Sequence, residues 1–103
     1  MTVLAAPCDR PPRRVEETAY YVAAEALANA TKHAGASAVT ISAARSGGQL
    51  VVEVDDDGVG GADPAGWGLR GLADRIAALD GQLLVDSPAG AGTRITARIP
   101  CGS

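Results

Sequence analysis

The sequence of 103 residues predicts an α+β fold, a two-layer sandwich in which a mixed, mostly antiparallel sheet is covered on one face by helices. Two observations support this prediction. Two segments repeat apolar residues at helical spacing, and β-branched, partly alternating segments come in pairs joined by glycine-rich turns. A chain of this length holds one hydrophobic core. We therefore expect residues 1–103 to form a single domain.

The clearest helical pattern runs from Val15 to His33, after a short segment, TVLAAP, that predicts a first strand. The helical segment is rich in alanine and contains neither glycine nor proline. Gly35 is placed to cap its last turn. Its apolar residues recur at helical spacing and should face the core: Ala19, Val22, Ala23, Ala26, Leu27 and Ala30.

Two strand patterns follow, AVTISAAR and QLVVEVDD, and the SGG between them predicts an antiparallel hairpin. A second amphipathic helix is predicted in LRGLADRIAALD, with Gly81 ending it. QLLVDS and TRITARIP predict another strand pair, and Pro100 ends the last strand. The apolar face of the second helix should consist of Leu69, Leu72, Ala73, Ile76 and Leu79.

Composition excludes several classes of function. The net charge of −3 provides no basic surface for nucleic acid or for an anionic membrane. No segment approaches the roughly 18 apolar residues of a membrane span, so we expect a cytoplasmic domain without membrane contact of its own. Cys8 and Cys101 are expected to be free thiols, because neither their number nor their spacing is typical of a metal cage or a disulfide framework.

Three polar residues of the first helix share one face. At 100° per residue, Asn29 lies about 40° from Glu25, and Lys32 about 20° to the other side. This face differs from most of the apolar stripe, so a carboxylate, an amide and an ammonium group would converge on one groove. The alternative is a solvated helix face with an incidental i to i+4 pair. His33, the single histidine, would by itself more often be a helix-end charge than a ligand or a base.

Three consecutive acids, Asp55 to Asp57, end the strand before Gly58 and Gly60. The local sequence leaves open a solvated turn, a divalent-metal site or a nucleotide contact. Successive strand side chains point to opposite faces, which argues against one ion bound by all three carboxylates. The two glycines allow a sharp turn and the close approach of a flat ligand.

The segment GWGLRG, residues 66–71, lies where a loop enters the second helix. Such a junction presents unpaired backbone N–H groups and the positive end of the helix dipole, which together favour phosphate. It is not a Walker motif, because it lacks Gly-Lys-Ser/Thr, and it does not directly follow a parallel strand as a Rossmann motif does.

In this order, the segments resemble the ATP-binding domain of the GHKL superfamily, which includes gyrase, heat-shock chaperones, histidine kinases and MutL. The sequence is most similar to the catalytic domain of bacterial two-component sensor histidine kinases of the nitrate-sensor-like group. EALANATKHA resembles the N box, DDGVG the D-x-G-x-G motif, GWGLRGLADR the G-x-G-L-x-G-[ML]-x-x-R motif and GTRITARIP the closing strand. The resemblance covers nearly the whole chain and implies a Bergerat-type fold that binds ATP and Mg²⁺.

The resemblance also implies residue roles. Asp56 accepts a hydrogen bond from the exocyclic amine of adenine, and Thr93 joins the same network through its hydroxyl. Asn29 coordinates Mg²⁺, and Glu25 serves as polar support or as a base. Contacts with the phosphates or with the rest of the nucleotide are implied for Lys32, His33, Gly58, Gly60, Gly66, Gly68, Leu69 and Gly71.

The segment between Gly60 and Gly66 corresponds to a very short phosphate lid, which we expect to be disordered without nucleotide. Trp67 either shields the nucleotide or packs on the sheet. His33 lies inside the nucleotide helix and no phosphoacceptor helix precedes it. We therefore expect an excised or partial kinase that binds ATP or ADP but phosphorylates nothing by itself.

The implied activity is transfer of the γ-phosphoryl group of Mg-ATP to a histidine on a separate dimerisation domain, from which a response regulator takes it. Such a domain is cytoplasmic, or the cytoplasmic part of a membrane-bound sensor. Two other functions fit the same fold: a serine kinase of the anti-sigma-factor type, binding a sigma factor on the sheet side, and a nucleotide-sensing module without turnover. A scaffold without a ligand is the remaining alternative.

Overall fold

The computed structural model describes residues 2–4, 13–32, 35–60 and 68–100. Cys8, His33, Gly66, Trp67, Cys101 and most of the predicted lid lie outside these ranges. No helix within the described ranges has the length and apolar character needed to cross a membrane. The elements are β1 (Thr2–Leu4), α1 (Arg13–Lys32), β2 (Val39–Ser46), β3 (Gln49–Asp56), α2 (Leu69–Ala77), β4 (Gln82–Asp86) and β5 (Thr93–Pro100).

The strands form one mixed sheet in the order β1-β2-β3-β5-β4. β1 is parallel to β2, and the remaining neighbours are antiparallel. The predicted β2–β3 hairpin is present, and its turn residues Gly47 and Gly48 have φ of 57° and 79°. Positive φ at both central positions gives the turn whose twist matches that of the strands. β5 lies between β3 and β4, so the chain crosses from β3 to β4 through α2.

Both helices pack on one face of this sheet, as predicted. Along β3, Leu50, Val52 and Val54 are buried, and the residues between them are half-buried. This alternation turns one face of the strand toward the helices and leaves the other as the outer face of the sheet. The core is aliphatic, and its helical part consists of Val15, Val22, Ala26, Ala30, Leu69, Leu72 and Ile76.

The two helices also contact each other. The guanidinium carbon of Arg75 in α2 lies 4.1 Å from the centre of the Tyr21 ring in α1. This distance and stacking are typical of a cation–π contact, which holds α2 against α1.

Both helices end close to the predicted glycines. The left-handed residue is the glycine itself after α1 but an aspartate after α2. Gly35 has φ of 60°, as predicted for a cap. After α2 the left-handed residue is Asp80, with φ of 59°, and not Gly81. The Asp80 N–H donates to the Ala77 carbonyl and the Gly81 N–H to the Ile76 carbonyl, both at 2.9 Å, which is a Schellman motif. Gly81 is needed instead for packing, because a Cβ there would lie 2.5 Å from the Arg98 carbonyl oxygen on β5.

Candidate functional site

The three acids at the end of β3 point in three directions. Asp55 lies on the outer face, where its Oδ1 accepts a hydrogen bond from Arg94 Nε at 2.6 Å. Asp56 lies on the helix side and is the register partner of Thr93. Asp57 accepts hydrogen bonds from Ser37 in the loop before β2. The three carboxylates therefore do not face one common point.

The Asp56 carboxylate is fixed by its own turn. Its Oδ1 accepts a hydrogen bond from the Gly58 N–H at 2.8 Å, which closes an Asx-turn. Asp56 is half-buried at the end of the strand. Oδ1 is engaged with the backbone, which leaves Oδ2 as the second acceptor atom of this carboxylate.

Thr93 lies beside this carboxylate. Directly opposed residues on one face of an antiparallel pair have Cβ atoms about 5 Å apart. The Thr93 residue is 7% exposed, and its Oγ1 lies 2.7 Å from Ser87 Oγ. A carboxylate acceptor and a hydroxyl therefore lie side by side at the end of β3 and the start of β5.

The loops that carry these residues are in close backbone contact. Gly60 has φ of 67°, and a Cβ there would overlap the Pro88 carbonyl and lie 2.8 Å from the Gly92 carbonyl oxygen. Gly92 has φ of 79°, and a Cβ there would overlap the Asp56 carbonyl. The Gly90 N–H donates to the Val59 carbonyl at 2.5 Å. Segment 57–60 and segment 87–92 therefore pack as one unit around Asp56 and Thr93.

On α1, the three polar residues differ in burial. Asn29 is 7% exposed, and its Nδ2 has no hydrogen-bond partner within the described residues. The prediction placed Asn29 in a surface groove, on a face distinct from most of the apolar stripe; the surface location was wrong, because Asn29 is buried. Asn29 continues the buried line of Val22 and Ala26 at helical spacing, because the sheet covers this side of α1. Lys32 is exposed at the end of the helix.

Glu25 lies beside the start of α2. A Cβ on Gly68, the N-cap residue with φ of 75°, would lie 2.8 Å from Glu25 Oε2. The N-cap residue Gly68 has no side chain that could cap this helix, and the bond that closes its first turn runs from the Leu72 N–H to the Gly68 carbonyl at 3.1 Å. The three preceding N–H groups have no acceptor within α2. Glu25 therefore lies next to the predicted phosphate-binding site at the start of α2.

Two further predicted contact residues open α2. The Leu69 residue is 1% exposed, with its side chain in the core, so its backbone N–H is the group left for a nucleotide. Gly71 is exposed, and a Cβ there would meet nothing within 4 Å. Packing within the described part of the chain therefore does not require glycine at position 71.

A cavity of about 270 Å³ opens at this end of the sheet. It reaches from the helix-side pair of Asp56 and Thr93 to the outer face. Glu25 and Asn29 do not line it, so the cavity covers the sheet end of the predicted site and not the α1 side. Its lining residues are Asp55, Asp56, Asp86, Pro88, Ala91, Thr93 and Arg94.

The sequence alone did not indicate the role of Asp57. Its Oδ1 accepts hydrogen bonds from the N–H groups of Ser37 and Ala38 at 2.8 and 2.9 Å, and its Oδ2 accepts one from Ser37 Oγ at 2.7 Å. The Ser37 hydroxyl first, and then the Ala38 N–H, lower the pKa of Asp57 below its ordinary 3.8. The carboxylate thereby ties the loop before β2 to the end of β3, next to Asp56.

Asp57→Asn is expected to lower the melting temperature at pH 7. The difference in melting temperature between parent and variant should become smaller in acid. Because the folded pKa lies below 3.8, the ionised carboxylate stabilises the fold above pH 3.8. That stabilisation is lost as the pH falls through the folded pKa. Thermal unfolding of the parent and the variant between pH 2.5 and 7 measures it, with Ser37→Ala giving a smaller change of the same form. A melting-temperature difference independent of pH would contradict the assignment.

Residues 14–103 match the model of a protein family described as "Histidine kinase-, DNA gyrase B-, and HSP90-like ATPase". The chain belongs to this family. The predicted superfamily and its fold are thereby confirmed, and the relatives that match are sensor histidine kinases.

Among curated proteins, this family domain is 35% identical over 99 residues to the signal transduction histidine-protein kinase/phosphatase UhpB of Salmonella typhimurium, covering 84% of the chain and 19% of that protein. It is 36% identical over 91 residues to the oxygen sensor histidine kinase NreB of Staphylococcus carnosus, covering 84% of the chain and 26% of that protein. The chain thus spans a fifth to a quarter of the length of these relatives.

Solved structures agree on the fold. The histidine kinase domain of a blue-light activated kinase from Erythrobacter litoralis superposes with a TM-score of 0.80 at 26% identity, covering 97% of this chain and 51% of that one. The ATP-binding domain of PrrB from Mycobacterium tuberculosis gives a TM-score of 0.69 at 23% identity, covering 100% and 82%. The second likeness is one of fold alone.

Proposed function

We propose that residues 1–103 form one cytoplasmic domain that binds Mg-ATP as the catalytic domain of a sensor histidine kinase. It donates the γ-phosphoryl group to a histidine on a separate dimerisation domain, from which a response regulator takes it. Membership of the ATPase family and the sensor-kinase relatives support this. The observation that carries the proposal is the Asp56 carboxylate, with Oδ1 fixed by Gly58 and Thr93 beside it.

Adenine is the base that this pair suits. Its exocyclic amine donates to Asp56 Oδ2, and the Thr93 hydroxyl supports the adjoining ring nitrogen. A partly buried carboxylate that is left without a donor is costly, so a base without the amine binds poorly. Gly58 and Gly60 shape the turn that holds Asp56. In this proposal they contribute to nucleotide binding by positioning that carboxylate.

Asn29 has the properties expected of the Mg²⁺ ligand. Its amide is buried, and the donor Nδ2 has no partner among the described residues, a costly arrangement that a phosphate oxygen accepting from Nδ2 would relieve while Oδ1 faces the ion. No group of three or more His, Cys, Asp or Glu in the described ranges is arranged to hold a metal. The amide oxygen of Asn29 would therefore share the ion with phosphate oxygens, as Mg²⁺ commonly does. When bound, Mg²⁺ neutralises charge on the phosphates.

The start of α2 is suited to the phosphates. Its N–H groups and dipole favour an anion, and Gly68, Leu69 and Gly71 place the backbone there without a protruding side chain. Alanine at position 71 would suit the helix better and would meet nothing within 4 Å among the described residues, which supports close approach of a ligand as the reason for the glycine. Lys32, His33 and Gly66 complete the phosphate contacts in this proposal.

The reaction requires positioning more than covalent help from the protein. The bond between the γ-phosphorus and the β–γ bridging oxygen breaks, a bond from the acceptor imidazole nitrogen forms, and ADP leaves. Glu25, beside Gly68 and one helical turn from Asn29, is placed to act on this region as polar support or as a base.

Calorimetric titration with ADP, with and without Mg²⁺, tests the site. We expect Mg²⁺ to tighten binding to the parent and to have almost no effect in Asn29→Ala, while binding without Mg²⁺ stays similar in both. Thr31→Ala is the matched control, because Thr31 lies on the same helix and, among the described contacts, its hydroxyl donates only to the Leu27 and Ala28 carbonyls. Absence of ADP binding by the parent protein would refute the proposal.

The kinase step is tested by mixing the domain and labelled ATP with the helical dimerisation domains of related sensor kinases. We expect label on the acceptor histidine of a cognate partner, sensitive to Asp56→Asn. Nucleotide binding without transfer to any partner would favour the nucleotide-sensing module, and label on a serine would favour the serine kinase.

A further inference from the structure

We propose that Ser87 is a positioning residue for base recognition: it donates to Thr93 Oγ1 and thereby directs the Thr93 proton toward the purine, which favours adenine over 6-oxopurines. The inference rests on the proposed function, since it assumes that Asp56 and Thr93 face the base. Neither the resemblance nor the predicted motifs assign a role to Ser87.

The geometry holds Ser87 in place. It lies directly after β4, and its Oγ is 2.7 Å from Thr93 Oγ1, the first residue of β5. The loop between them is fixed to segment 57–60 by the Gly90 to Val59 hydrogen bond and by the close packing of Gly60. The contact is half-buried, so water competes little for these hydroxyls.

Either hydroxyl can be the donor by distance alone, and the local charge decides between them. The Asp56 carboxylate is the cross-strand neighbour of Thr93 on the same face. Hydroxyl dipoles orient in the field of nearby charges, so the Thr93 proton turns toward the carboxylate side, where the base is proposed to bind. The proton in the Ser87–Thr93 bond then comes from Ser87, and this bond in turn keeps the Thr93 proton in that orientation.

The direction of this bond affects which purine fits. Adenine presents an amine donor beside an unprotonated ring nitrogen, whereas a 6-oxopurine presents a carbonyl acceptor beside a protonated ring nitrogen. An acceptor at Asp56 next to a donor at Thr93 complements adenine, directly or through a water. With the opposite direction, Thr93 would only accept, and its preference between the two purines would be lost.

The test is a double-mutant cycle on ADP and inosine diphosphate (IDP) affinity, using Ser87→Ala, Thr93→Val and the combination. Loss of one oriented hydrogen bond predicts about tenfold weaker ADP binding in Ser87→Ala and a similar fall in the ADP-to-IDP affinity ratio. In the Thr93→Val background, Ser87→Ala should change neither value. Ser87→Thr, which keeps a hydroxyl, should restore both, and Ser42→Ala on the outer face is the control.

Unchanged ADP binding and ADP-to-IDP ratio in Ser87→Ala would overturn the inference while leaving the proposed function intact. An equal loss in both Thr93 backgrounds would also overturn it, because Ser87 would then act through the fold and not through the Thr93 hydroxyl. If the parent protein binds no ADP at all, the proposed function itself fails.

Discussion

Asp56→Asn is expected to weaken ADP binding by at least about 100-fold, the largest effect on binding of any substitution that should leave the fold intact. The Gly58 N–H occupies one oxygen of the side chain at 2.8 Å. In the variant the single amide oxygen stays with Gly58, which turns the amide NH₂ toward the adenine amine. Two donors then face each other in a partly buried site. Titration calorimetry with ADP measures the loss.

Asp55→Asn is the matched control, because Asp55 is adjacent in sequence but bonds Arg94 on the outer face. It should change ADP affinity by less than about threefold, since exposed charges contribute little at a distance. The ADP-to-IDP affinity ratio provides a second measurement: it should fall steeply in Asp56→Asn and stay unchanged in Asp55→Asn. Equal effects of the two substitutions would show that Asp56 does not face the base.

Gly92→Ala is expected to destabilise the domain by about 3 kcal/mol or more, enough to lower the melting temperature by more than about 10 °C. Gly92 has φ of 79°, and its Cβ would overlap the Asp56 carbonyl, which is backbone and cannot turn away. Relief requires separating segment 87–92 from the end of β3, which also displaces Thr93 from Asp56. Thermal or urea unfolding measures the change.

Gly90→Ala isolates the effect of the contact. Gly90 has φ of 81° in the same loop, but a Cβ there meets nothing within 4 Å. Gly90→Ala should therefore lower the free energy of unfolding by about 1 kcal/mol, the cost of holding a non-glycine residue in the left-handed conformation. Equal losses of stability in the two variants would contradict the close packing of the two segments.

Much of the fold followed from local patterns. Helical periodicity located α1 and α2 and most of their buried residues, and SGG located the β2–β3 turn. Strand alternation predicted that Asp55 and Asp56 lie on opposite faces of the sheet, and the structure places them so. These features depend on residues within a few positions of one another, where backbone geometry fixes which side chains share a face.

The positions that local patterns misplaced or missed depend on distant partners. Asn29 is buried because the sheet covers its side of α1, which helical spacing cannot indicate. Asp57 meets Ser37, 20 positions away, and Gly60 meets Pro88 across the sheet end. At the end of α2, Gly81 was expected to end the helix; Asp80 has the left-handed conformation there, and Gly81 packs closely against β5.

By itself, the sequence determined the α+β sandwich and the family, because these follow from periodicity and from motifs of contiguous residues; the base-reading role of Asp56 is implied by the resemblance and stays a prediction. Only the tertiary structure decided how that acid is held: its oxygen on Gly58, Thr93 beside it, and Ser87 behind Thr93. The reason is physical. Hydrogen-bond direction and backbone contact depend on distances between segments, and those distances exist only once β3, β5 and their loops have packed together.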